Sequence, residues 1–472
     1  MKNFMKILRE IRTFLLLWIT QSFSSFGSAM TSYSLVIWSY TQKGSALMTA
    51  LLMVSTYTPY VILSIFAGAL SDRWNKKATM LVCDSVAAVS TVVMFILLKN
   101  GLLEIWHLYL INAVNGLMNT VQSPASEVAV SRILPKKHYQ RVGGLRYFSN
   151  ALNSIFVPVL ATAVIGLFGL TAVVAIDLAT FSAAFLVLAL AIKIPEPDIN
   201  AENGNAENAE IKTENAESAS ENQGSPAEKL KTDSENQAEK AGFMDSVKDG
   251  ISFLKNERGL LCMIMFLSSI NLIASIYNAV LPAMVLSKGI GGEKALGMVN
   301  SVIGISMLIG SVLASAVPAP KNRVRTIFLC LFISMGTENL MLALGRSPLV
   351  WCVGGFLGYI LIPLMSTNLD AIMRLRIPDW IQGRVYSVRN TFQFFTIPAG
   401  YFLGGFLVDK VFEPFTARFA ADTFLERVFG TGKGSGAALL FFVIAFAGVT
   451  VCIIFRTSRS IRALEKEELE RK

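Results

Sequence analysis

Long apolar runs alternate with short polar turns along most of this chain. Twelve runs stand out, over 13–40, 46–70, 78–99, 105–129, 146–168, 171–193, 260–286, 295–317, 326–345, 349–372, 386–408 and 434–455. Each is long enough to cross roughly 30 Å of hydrocarbon as a helix, which satisfies its own backbone hydrogen bonds in lipid. The ten-residue alternation of a membrane barrel is absent. The pattern predicts an all-α membrane protein of twelve transmembrane helices.

One stretch breaks the alternation. Residues 199–242 are built of Asn, Ala, Glu, Ser and Lys, with the triplet Asn-Ala-Glu starting at Asn200, Asn205, Asn208 and Asn215. Such a segment cannot bury a core and is predicted to be disordered. After it, Phe243, Val247, Ile251 and Leu254 recur at helical spacing among charges. That is the pattern of an amphipathic helix lying on a membrane surface. The organisation that follows is a six-helix half over 1–195, an acidic linker over 196–242, an interfacial helix over 243–258 and a second six-helix half with a charged tail over 259–472.

Composition agrees. Of 472 residues, 53% are hydrophobic and 16% charged, against about 25% charged in soluble domains. The net charge of +9 does not mark a nucleic-acid binder, because its basic residues sit mostly in short loops, where they set topology. With both termini placed on one side, that side carries 25 Lys and Arg and the opposite side nine. The excess predicts cytoplasmic termini in a cell (inner or plasma) membrane. The basic N-terminus runs straight into an apolar block to about Tyr40 and does not read as a cleaved leader. Cys83, Cys262, Cys330, Cys352 and Cys452 all fall in apolar runs without metal or redox spacing. With His107 and His138 as the sole histidines, no nucleophile–base pair is present. Gly430-Thr-Gly-Lys433-Gly lacks the spacing and the hydroxyl of a phosphate-cradling loop. An enzyme is not expected, nor a cofactor or a metal.

The two halves are repeats. Glu127, Pro135, Arg141, Val142 and Arg146 recur as Asp370, Pro378, Arg384, Val385 and Arg389, each 243 positions on. Both copies run from the end of a fourth span into a fifth. A same-orientation repeat implies two bundles related by an axis along the membrane normal, with a substrate site between them near the midplane.

Polar stripes point to an interior. Gln21, Ser24, Ser28 and Thr31 lie on one face of span one; Asn112, Asn115, Asn119 and Gln122 on one face of span four; Ser268, Asn271, Ser275 and Asn278 on one face of span seven. Such side chains are costly in lipid and are expected to line a cavity; the alternative is hydrogen bonding between packed helices. Tyr33, Tyr277 and Tyr359 are candidate aromatic contacts.

The loop between spans two and three reads Gly68-Ala-Leu-Ser-Asp72-Arg73-Trp-Asn75-Lys76-Lys77. It resembles the signature loop of the major facilitator superfamily, Gly-x3-Asp-Arg-x-Gly-(Arg/Lys)-(Arg/Lys), with Asn75 in the second glycine's place. Asn tolerates a left-handed turn better than most residues. Further pieces, among them Ser25-Phe-Gly-Ser28, Pro124-Ala125, Asp177-x2-Thr-Phe181 and Gln382-Gly-Arg-Val385, make the chain similar to the proton-driven exporters of the macrolide-efflux type. Span five keeps only Pro158 of the exporters' Gly-Pro-x-x-Gly-Gly stretch. The resemblance implies a gate latch in which Gly68 permits close helix approach, Asp72 caps a helix of the opposite half, and Arg73 pairs with Glu127. Arg141, Asp370 and Arg384 belong to the same gate region, and Lys321-Asn322-Arg323, with Asp370 as its candidate partner, is a weaker counterpart in the second half. The resemblance also implies a central cavity around spans one, four, seven and ten, with spans three, six and nine peripheral.

On that reading the cavity is polar, aromatic and uncharged. The candidate proton carriers, Asp84, Asp177 and Glu338, stand away from it and leave the coupling site open. The expected protein is a monomeric secondary transporter with a small-molecule substrate, protons as coupling ion and the bilayer as surroundings. Export of bulky amphipathic compounds leads. Transport of a lipid, siderophore, peptide product or nutrient is the alternative, and a non-transporting sensor or scaffold the third reading.

Overall fold

The computed structural model describes residues 12–73, 75–133, 139–192, 243–378, 381–418, 424–430 and 432–470. Among them all regular structure is helical. The first half contains α1 (Arg12–Lys43), α2 (Ala46–Arg73), α3 (Lys76–Lys99), α4 (Ile105–Ile133) and α5 (Tyr139–Leu190). The second contains α6 (Phe243–Asn256), α7 (Arg258–Ser287), α8 (Gly292–Ala316), α9 (Arg323–Leu344), α10 (Pro348–Tyr359), α11 (Ile362–Arg376) and α12 (Gln382–Phe406). A π turn (Leu407–Phe412), α13 (Glu413–Thr416), α14 (Phe424–Phe429), α15 (Ser435–Thr457) and α16 (Arg459–Glu470) complete it. The acidic segment falls outside the described residues.

Nine helices among the described residues are long and apolar enough to cross a membrane. Helices α1 and α4 are not among them; they carry two of the polar stripes, and the polar residues lower their mean hydropathy. Helix α5 is 52 residues long and breaks at Gly169, whose φ of 77° lies in the region that favours glycine. That break falls between the fifth and sixth apolar runs. The tenth run is also divided, at residues 360–361, where Pro363 opens α11.

Helices α1–α5 pack on one another, as do α7–α15. The bundles meet along two long seams, α2 on α12 and α5 on α8. The main buried cluster centres on Phe266, Trp351 and Phe441 in the second bundle and reaches Ile37, Tyr40 and Ala46 of the first. The first bundle's core is divided into smaller clusters, one around Leu52 and Leu108 and another around Met80 and Leu188. Its outer face is apolar, with Leu190 82% exposed and Leu167 76%. That surface is disfavoured in water and at home in lipid.

Candidate functional site

A cavity of about 710 Å³ occupies the first bundle between α1, α3, α4 and both parts of α5. It explains why the core there is divided. All eight stripe residues of α1 and α4 line it: Gln21, Ser24, Ser28, Thr31, Asn112, Asn115, Asn119 and Gln122. Helical spacing placed each set on one face, and packing turned both faces to the same space.

The cavity holds two carboxyl groups. Asp84 and Asp177 both line it, which corrects the expectation of an uncharged interior. Gln122 Nε2 donates to Asp84 Oδ1 at 2.7 Å, and Ser28 Oγ donates to Asp177 Oδ1 at 2.9 Å. Each acid is therefore bonded to a stripe residue. The reason is close helix approach. At Gly27 of α1, an added Cβ would stand 3.1 Å from Asp177 Cα, so the missing side chain lets α5 bring its carboxylate to the stripe. Spans read as peripheral thus reach the interior.

Helix α5 adds polar residues that the sequence reading passed over. Ser22 Oγ and Ser149 Oγ lie 2.9 Å apart, and Asn153 Nδ2 donates to Ser25 Oγ at 3.5 Å. The signal was present as the run Ser149, Asn150, Asn153, Ser154 on one helix.

The α7 stripe does not line this cavity. Ser268 and Ser275 donate to the carbonyls of Ile264 and Asn271 on their own helix, at 2.9 and 2.8 Å. Ser275 also packs against Gly400 of α12, and Asn278 is exposed. Ser268 and Ser275 thus take backbone and packing roles, and α7 supplies no third wall to this cavity. Asn271 is half-buried.

Glu338 is 3% exposed and pressed against Gly358 of α10. Tyr277 and Tyr359 are its neighbours, with ring centroids 6.4 Å apart. Three residues read separately are thus gathered in the second bundle, away from the cavity. Tyr33 faces the seam instead and accepts from Asn300 Nδ2 of α8 at 3.4 Å.

The latch region is described in part. Gly68, Asp72 and Arg73 belong to the last turns of α2, but their side chains, with those of Glu127 and Arg141, lie outside the described residues. Asn75 is not left-handed: at φ −59° it caps α3, accepting from Ala78 N at 2.9 Å. A capping side chain here replaces the turn that glycine would make. Lys77 Nζ donates to the carbonyls of Ala189 and Ile192 at 2.9 and 2.6 Å, tying α3 to the end of α5. Lys76 is buried.

In the second half the basic residues take other partners than expected. Asp370 pairs with Arg389 at 3.7 Å, the last position of its own repeat motif. Arg384 pairs with Asp249 of α6 at 2.6 Å. Arg323 faces Glu468 and Arg376 faces Glu467 of α16, at 3.6 and 2.6 Å. Amphipathic α6 and α16 supply carboxylates at this end of the bundle, so Asp370 is not needed by Arg323.

Two paired bundles of membrane-length helices, the first of them holding a polar cavity, describe a membrane transporter. The family model described as Major Facilitator Superfamily matches residues 17–400, and the chain belongs to that family. It is 19% identical over 401 residues to "Macrolide efflux protein A" of Streptococcus pyogenes, covering 84% of this chain and 90% of that one. It is 22% identical over 351 residues to "Uncharacterized MFS-type transporter YfiS" of Bacillus subtilis, covering 74% and 73%. Among solved structures, the nucleoside transporter NupG matches with a TM-score of 0.62 at 12% identity, over 93% of this chain and 97% of that one. A proton dependent oligopeptide transporter matches with 0.62 at 12%, over 97% and 100%. These structures share the fold. The protein is a multi-pass transporter of the cell membrane.

Proposed function

We propose that this chain is a twelve-span antiporter that exports bulky amphipathic compounds in exchange for protons by alternating access. Its two six-helix halves, 1–195 and 259–472, are joined by a disordered linker and an interfacial helix, with both termini in the cytoplasm. It works as a monomer. Gly68, Asp72, Arg73 and Glu127 form the cytoplasmic gate, with Arg141 beside them and Arg384 in the second half. Asn75 and Lys77 anchor the start of α3 below it.

The observation that carries the reading is the cavity with two carboxylates held by stripe residues, Asp84 by Gln122 and Asp177 by Ser28. A carboxylate inside a membrane protein is costly unless it does something, and binding a proton or a cation is what it does best. Asp84 and Asp177 rank above Glu338 as coupling residues because only they share the cavity with the stripes. Two acids also favour an amphiphile that carries a cation over an anion. The relatives named for macrolide efflux support export in particular.

The test is efflux from energised cells across macrolides, cationic dyes and neutral amphiphiles, with and without a protonophore. Expression should lower accumulation of the cationic compounds, and the protonophore should abolish the difference. Asp84→Asn and Asp177→Asn should each slow efflux about tenfold or more, the scale of losing one charge-assisted interaction, with membrane expression unchanged. Efflux at the normal rate in the double variant would refute the coupling assignment. Accumulation unaffected for every compound would refute export.

A further inference from the structure

Asp409 joins the two bundles at the end that carries the α1–α2 connection. One oxygen, Oδ2, accepts from Ser45 Oγ at 2.6 Å and from Leu47 N at 2.9 Å. The other, Oδ1, accepts from Ala46 N at 3.0 Å. Two of these donors are N–H groups of the first turn of α2, which have no carbonyl within their own helix. A carboxylate at this position also complements the helix dipole. Ser45 is held in place on its other side, its Oγ accepting from Met48 N at 3.1 Å.

The surroundings are built for the contact. The π turn sets Asp409 toward α2 while Val408 stays buried and Lys410 exposed. One turn earlier, Gly405 lets the backbones meet, since a Cβ there would stand 2.6 Å from Leu47 Cα. Tyr40 of α1 and Ser287 of α7 are hydrogen-bonded at the same end. The large buried cluster crosses between the bundles there through Ile37, Tyr40 and Ala46. By contrast Gly166, 243 positions before Asp409, has no side chain to reach α8.

We propose that Asp409 is the positioning residue that holds this end of the transporter shut, releasing α2 each time the halves rock to open it. The seam between α5 and α8 rolls as this end parts and the far end closes. The proposal rests on the alternating-access reading above, but it is tested without any cargo.

Spin labels introduced as non-canonical amino acids replace the exposed Met48 and Val411, which flank the contact on α2 and on the π turn after α12. A second pair replaces the exposed Leu190 and Leu375 at the far end. Distances are measured in the full-length chain in nanodiscs. The first pair should give one short population in the unsubstituted protein. In Asp409→Ala the ratio of long to short should rise about tenfold or more, as expected for losing a charged hydrogen-bond acceptor, while the far pair shortens. Ser45→Ala should move the same ratio in the same direction by a smaller factor. A Met48–Val411 distribution unchanged in Asp409→Ala would overturn the proposal. So would broadening at both ends together, the mark of a merely structural role. If Asp409→Ala does not fold, Asp409→Asn keeps the shape and removes the charge, and an unchanged ratio there overturns the proposal equally. Normal efflux with unmoved distances would remove the clasp and leave export standing. Moved distances without efflux of any compound would do the reverse.

Discussion

The two seams between the bundles occupy related places in a repeated design, yet they are made differently. Along α5 and α8 the contact is close and plain. Gly297 lies over Pro158 and Thr162, Gly304 lies over the backbone of Ser154, and Ser301 Oγ donates to the carbonyl of Ile155 at 2.9 Å. Along α2 and α12 it is aromatic and polar. Tyr57 stacks on Tyr401 with centroids 6.1 Å apart, Tyr60 meets Phe394 edge-on at 5.7 Å, and Asp409 caps the first turn of α2. Small residues bring backbones together through many weak contacts, and such a seam can roll without breaking any one of them. A carboxylate capping a helix is either made or lost. The repeated motif is therefore not matched by like seams: one is suited to pivot and the other to open.

The largest expected effect is steric and tests whether both seams are as close as described. Gly304→Val and Gly405→Val each force a side chain into the opposing backbone and should cost about 1–3 kcal/mol. A lowered melting temperature in detergent would show it; an unchanged one would remove the close-approach half of the comparison. Next in size is Tyr401→Ala. Its coupling to Tyr57, read from the double-mutant cycle with Tyr57→Ala, should be about 1 kcal/mol, and the single variant should lengthen the Met48–Val411 distance. An equal response to Tyr401→Ala in labels across α5 and α8 would mean that the seams do not act separately. The smallest effect belongs to Ser301→Ala, about 0.6 kcal/mol, typical of a hydrogen bond between membrane helices. It should lower the melting temperature slightly and leave the open-to-closed ratio at Asp409 unchanged; a shifted ratio would show that the pivot also gates.

Much of the site could be read from residue spacing. The α1 and α4 stripes lie on single faces because a helix repeats every 3.6 residues, and a polar face in lipid has to turn inward. The same rule misassigned α7. Ser268 and Ser275 satisfy their hydroxyls on their own helix, and Asn278 is exposed, so polar periodicity fixes a face of a helix but not the space that face meets. Asp84 and Asp177 were visible as intramembrane acids, but their meeting with Gln122 and Ser28 depends on how far α3 and α5 tilt toward α1 and α4. Asp409 was legible only as a loop charge. Nothing in the local sequence ties it to residues 45–47, more than 360 positions away.

That this is a helical membrane protein was settled by the chain's local pattern, because apolar length and the cost of bare backbone in lipid leave few other solutions. The same pattern determined which faces of α1 and α4 are polar, because periodicity is a local property. Tertiary structure decided which acids meet those faces, which partners Arg323, Arg376 and Arg384 take, and where one half caps a helix of the other. Those contacts are fixed by the approach of whole helices, set by glycines and side-chain volumes on elements far apart in the chain, and no window of sequence contains both sides of them.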